Sequence, residues 1–158
     1  MKMNSKDFIN ELVSKGKLKK QTTDMSYLNG LIEAAKRNFD AAAFVKNKMD
    51  EAAFKLIYDG LLQISRAVVM LNGYRPDDGE QHKTTFLAAG YLMGVEFHDL
   101  TDRIQKFRIK RNNCVYEPKG LITGSEVDAI LNTAKEYWPR VKRYLQSKNP
   151  QLKLFKDI

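Results

Sequence analysis

Residues 123–145 read TGSEVDAILNTAKEYWPRVKRYL, and their periodicity decides the fold class. Val127, Ile130, Leu131, Ala134, Trp138, Val141 and Leu145 recur every three or four positions, the spacing of one face of an α-helix. Thr123 with Glu126 three residues on has the spacing of a capping box, in which each side chain binds the other residue's backbone N–H. Pro139 lies inside this helix, removes one backbone donor and predicts a kink.

Outward from this stretch the same period continues. A second helix opens at Asp24, an N-cap residue, and runs to about Asn47 with Leu28, Leu31, Ile32, Ala35, Phe39 and Ala42 on one side. Asp50 is expected to cap a third helix carrying Ala53, Ile57, Gly60, Leu61, Ile64, Val68 and Leu71, stopped by Gly73 and Pro76. The turn-forming residues Asn72 to Gly79 read as a loop. A fourth helix starts at Gln81 or His82 with Phe86, Ala89, Gly90 and Met93, and a related stripe (Phe97, Leu100, Ile104, Phe107) continues to the basic segment, either unbroken or with a break near Gly94. Asn112 to Gly124, with Pro118 and two glycines, reads as a loop. Before all of these, Ser5 to Ser14 predicts a short helix, and Lys15 to Thr23 a loose basic link without an apolar face. Alternating strand-like runs are absent. The expected architecture is all-α: an antiparallel four-helix-type bundle with an additional short N-terminal helix, one domain over residues 1–158 with its core at about 24–146.

A domain of 158 residues buries roughly 70% of its unfolded surface without a metal or disulfide. The single cysteine, Cys114, excludes an internal disulfide and reads as a small packed residue. With no apolar run near the roughly 20 residues a bilayer needs, the expectation is a cytoplasmic protein without a membrane span. The net charge of +8 is uneven. Six lysines oppose Asp7 and Glu11 within residues 1–20, and Arg103, Lys106, Arg108, Lys110, Arg111 and Lys119 oppose Asp102 and Glu117 within residues 101–119. Such windows are either solvated surfaces or footprints for a polyanion.

Glycine-rich phosphate loops, cysteine pairs and histidine clusters are missing, so nucleotide-loop and zinc chemistry have no sequence support, and no cofactor is expected. His82 reads as a cap or surface residue, and His98 as exposed beside Glu96 and Asp99. The stretch from Arg108 to Pro118 differs. Arg111 can bind phosphate through two parallel hydrogen bonds, Arg108 and Lys110 add charge, Asn112 and Asn113 add amide donors, and Tyr116 adds a ring. Those residues suit RNA or a nucleotide. The other reading, which the chemistry alone favours, is that Arg111 pairs with a neighbouring carboxylate while Tyr116 packs on the bundle and the asparagines end the helix.

The order of features resembles a HEPN domain over roughly Asp24 to Leu145. The alanine-rich second helix (Glu33 to Ala42) and Gly73-Tyr74-Arg75-Pro76 are followed by a loop with His82 and Lys83, a helix closing on Arg111-Asn112, and a last helix with Ala134-Lys135 and a basic end. The resemblance implies a helical bundle that dimerises and binds RNA or nucleotide, as a toxin-type, metal-independent ribonuclease or a degenerate relative. Arg111 then matches the motif arginine and Asn112 its polar neighbour, while Tyr116 stands where the motif has histidine, and Pro118 where many members have tyrosine. Histidine titrates near 6.5 and tyrosine near 10, so Tyr116 would be a poor base at neutral pH. A nucleotidyltransferase antitoxin is the implied partner. The alternative is a non-catalytic module that docks such an enzyme or another protein; a purely structural helical dimer is a third reading.

Overall fold

Asp24 accepts a hydrogen bond from the Tyr27 backbone N–H at 3.1 Å and so starts the longest hairpin of the molecule. In this computed structural model, which describes residues 3–116 and 122–158 with the side chains of Val115 and Tyr116 left out, the elements follow one another as α1 (Ser5–Ser14), β1 (Leu18–Lys20), α2 (Met25–Val45), α3 (Asp50–Leu71), β2 (Tyr74–Pro76), α4 (Gln81–Met93), α5 (His98–Tyr116) and α6 (Gly124–Lys148). A single 3₁₀ turn, Val95–Phe97, separates α4 from α5. The protein is an all-α helical bundle with one small ribbon of strand.

Helix α3 is the axis of the core and packs against α2, α4, α5 and α6. All six residues of the expected α2 stripe, Leu28 to Ala42, are buried. On α3, Ala53, Ile57, Leu61, Ile64 and Val68 are at most 1% exposed, and each large aliphatic side chain so buried contributes about 1.5–3 kcal/mol. Gly60 lets the two helices close up: a Cβ there would stand 2.6 Å from the Phe39 ring. Within the core, the Ser65 hydroxyl and the Tyr137 phenol satisfy one another at 2.9 Å.

Gly94 sits at φ 125°, ψ 169°, a conformation open almost only to glycine, and there the chain leaves α4 and turns into α5. At the start of α6 the capping box of Thr123 and Glu126 is formed in both directions. Pro139 falls inside α6, as its position in the sequence requires.

Five expectations need correction. The link after α1 is not structureless: Leu18 is 1% exposed, and β1 pairs antiparallel with β2 through the register Leu18↔Pro76, Lys19↔Arg75 and Lys20↔Tyr74. A three-residue strand with one buried side chain carries too short a pattern to read. The N-cap of α3 is Met49 without a side-chain bond, so Asp50 lies inside the first turn, where its charge opposes the helix dipole's positive end. Helix α5 continues through Asn112 and Asn113 to Tyr116 instead of stopping at Arg111; Pro118 disfavours helix only at the residue before it. His98 is half-buried, its ring 4.6 Å from that of Tyr91 and its Nε2 enclosed without a partner. The core also reaches beyond residues 24–146, taking in Ile9, Leu12 and Leu18 before it and Leu152 after it. Phe155 stacks on Trp138 with ring centroids 4.1 Å apart, and the Trp138 indole N–H donates to the Phe155 carbonyl at 3.2 Å.

Candidate functional site

Arg108, Arg111 and Asn112 stand three and four residues apart on α5 and therefore share one helix face. That face meets the first turn of α4, where His82 and Lys83 lie, and the Asp78–Glu80 turn that precedes it. Together these residues wall a cleft of about 560 Å³. The turn is braced from within: Asp78 accepts from the Glu80 backbone N–H at 3.2 Å and from the Thr84 hydroxyl at 2.7 Å. Gln105 ties α5 to α4 by donating to the Lys83 carbonyl at 3.0 Å and receiving the Arg108 Nε–H at 2.7 Å.

The floor comes from α3. The Arg111 guanidinium carbon lies 5.4 Å from the centre of the Tyr58 ring, a cation–π arrangement that orients the guanidinium without using up its N–H groups. Among the described residues no carboxylate lies within 4 Å of Arg111, so it is not held in an ion pair there, and its buried Nε finds no acceptor. The two acids on the cleft wall are engaged elsewhere, Asp78 in the turn and Glu80 with Lys83 at 3.5 Å.

Tyr58 also touches His82: its phenol oxygen is 3.1 Å from His82 Nδ1. Burial pushes the Tyr58 hydroxyl up to about 12, against the pull of Arg111 and Arg108, so it stays protonated and can donate or accept. For His82, burial first, and then the positive charges of Arg111, Arg66 and Arg108, lower the imidazole below its usual 6.5. Asp59, next to Tyr58, is raised, mainly by burial and in spite of Arg111 and Lys55. The cleft thus places a neutral imidazole among guanidinium groups, an arrangement able to bind an anion and take a proton close to it.

Of the residues singled out in the sequence, the structure brings Arg108, Arg111 and Asn112 together. Lys110 turns away and pairs with Glu126 on α6 at 3.1 Å, and Asn113 is exposed outside the cleft. The side chain of Tyr116, like residue Pro118, lies outside the described residues. Cys114 is buried, as a packed residue should be. Sequence reasoning did not single out Tyr58, and it read His82 as a cap or surface residue, whereas the N-cap is Glu80 and His82 is half-buried against Tyr58. Nothing in the spacing of positions 58, 82 and 111 links them; the one available signal was that a chain with two histidines places one of them just after a turn-rich loop. Among the described residues no three His, Cys, Asp or Glu side chains group as metal ligands, and no helix is long and apolar enough to cross a membrane. Compared with protein-family models, with curated proteins and with solved structures, the chain matches none of them.

Proposed function

We propose that this chain is a HEPN-like RNA-binding protein that cleaves RNA without a metal ion, with Arg111 holding the scissile phosphate and His82 acting as the base. The observation that supports this reading is the shared cleft of Arg111, Arg108, Asn112 and His82, with His82 bonded at 3.1 Å to a protonated Tyr58. In the tautomer suited to the task, His82 Nδ1–H donates to the Tyr58 oxygen and Nε2 carries the lone pair. His82 takes the proton of a ribose 2′-hydroxyl, that oxygen attacks the adjacent phosphorus, and the bond to the 5′ oxygen breaks, the leaving oxygen gaining a proton from water. The products are a 2′,3′-cyclic phosphate and a 5′-hydroxyl end. Arg111 and Arg108 neutralise the charge that gathers on the phosphoryl oxygens, while Asn112 donates to the backbone of the strand. The base is supplied from α4, so the tyrosine at position 116 is no obstacle to this chemistry.

The test is cleavage of an unstructured RNA by the parent, Arg111→Ala and His82→Ala proteins, with the ends of the products identified. Each variant is expected to lose about a hundredfold or more in rate. An Arg111→Ala protein that cuts as fast as its parent overturns the assignment. A homodimer and a nucleotidyltransferase antitoxin belong to the same proposal through the family resemblance, and co-purification with the product of a neighbouring nucleotidyltransferase gene tests the second.

A further inference from the structure

A second cleft, of about 330 Å³, opens between the start of α2, the latter half of α3 and β2. Its volume lies in the roughly 300–1,000 Å³ range of clefts that take small ligands or parts of larger ones. Gln81 belongs to the walls of both clefts, and its side-chain oxygen accepts from Arg66 at 3.3 Å. Arg66 therefore stands at the junction, close enough to His82 for its charge to be felt there.

The chemistry of the second cleft differs from that of the first. Tyr27 is 53% exposed, and its backbone N–H is fixed by Asp24. Met70 and Leu31 supply an apolar floor. Arg75 is engaged with Asp77 at 2.8 Å, whereas Arg66 has no carboxylate within 4 Å among the described residues. An open aromatic face, an apolar floor and a guanidinium without a countercharge are what a nucleotide needs: a surface for the base and a donor for its phosphate. The apolar floor and the exposed ring would serve a free inorganic anion poorly.

We infer that the substrate is a single-stranded RNA that crosses both clefts, its scissile phosphate at Arg111 and a neighbouring nucleotide stacked on Tyr27 with its phosphate against Arg66. The inference rests on the ribonuclease reading of the Arg111 cleft and names its substrate class. A duplex is excluded from this path because its bases are already stacked on one another and present no face to Tyr27.

The experiment is fluorescence anisotropy at low salt with an uncleavable 2′-O-methyl oligouridylate of about 12 nucleotides, within the usual span of single-strand sites. A duplex of equal length is the comparison. The parent protein is expected to bind the strand about tenfold or more tighter than the duplex; Tyr27→Ala weakens strand binding about five- to hundredfold, and Tyr27→Trp, which keeps a ring, retains it. Tyr27→Ala binding as the parent does, while Arg111→Ala has lost affinity, removes the second cleft from the path and leaves the first site intact. Equal affinity for duplex and strand likewise overturns the inference. Arg111→Ala binding and cutting RNA as the parent does removes the underlying ribonuclease reading, whatever Tyr27→Ala does.

Discussion

The phenol oxygen of Tyr58 and Nδ1 of His82 stand 3.1 Å apart although 24 positions separate them in the chain, and the contact joins the central helix to the first turn of α4. It fixes the imidazole at the mouth of the cleft while the same tyrosine ring supports Arg111. Tyr58→Phe keeps the ring and removes the bond. Cleavage of RNA is expected to fall about fivefold in kcat, with KM little changed, since one neutral hydrogen bond is worth about 1 kcal/mol. A variant with parental kcat would show that the bond does not orient the base.

The rate is also expected to depend on pH in a particular direction. Because burial and three arginines lower His82, its basic form predominates at neutral pH, and kcat/KM should rise to a plateau with an apparent pKa below 6.5. A midpoint above 6.5 in the pH–rate profile contradicts the assignment of His82 as the base.

The same shift ties stability to pH. Below about pH 6.5 the unfolded chain protonates this histidine while the folded chain resists, so unfolded molecules bind more protons and stability falls with falling pH. The contribution is fully present above the unfolded value and disappears as pH drops through the lower, folded one. Urea unfolding followed between pH 7.5 and 5 should therefore show a steeper loss for the parent than for His82→Gln, which cannot titrate.

Arg111→Lys retains the charge but not the planar pair of donors or the stacking on Tyr58. Cleavage is expected to drop about ten- to hundredfold, and RNA binding to persist with a similar salt dependence. Arg111→Ala should lower the salt slope of binding by about one unit, read from affinities at several salt concentrations.

Gly94→Ala places a side chain at φ 125°, where only glycine is at ease, and is expected to cost about 1–3 kcal/mol in urea unfolding. Phe155→Ala removes the ring stacked on Trp138 and should cost about 1–3 kcal/mol, although it lies outside every helix. An unfolding midpoint equal to the parent's would contradict either prediction.

How much was legible follows from where each signal resides. Asp24, the Thr123–Glu126 box and the break at Gly94 are local rules, satisfied within a few residues, and the structure carries all three. The apolar stripes were legible because burial repeats with the helix. The ribbon was not, since its pairing joins residues near 19 to residues near 75, and neither strand is long enough to declare a period. Nor was the second half of the site. Arg108, Arg111 and Asn112 share one helix and can be read from spacing, whereas Tyr58 and His82 meet them only through the packing of α3, α4 and α5, which spacing does not encode. Lys110 shows the converse: adjacent to Arg111 in sequence, it points around the helix to Glu126.

The residues before α2 bear on the Arg111 cleft from a distance. Gln21 donates to the Gly73 carbonyl at 2.8 Å, Asp77 to that of Lys17 at 2.9 Å, and the Thr23 hydroxyl to that of Met70 at 2.9 Å, so the stretch before α2 is buckled across the passage from α3 to α4. Asp78 and Glu80, which shape one lip of the Arg111 cleft, come directly after this buckle. A protein trimmed to begin at Asp24 would keep Arg111, His82 and Tyr58 in full and still release the lip that frames them, so the amputation of a distant segment would be felt as slack in the wall of the cleft.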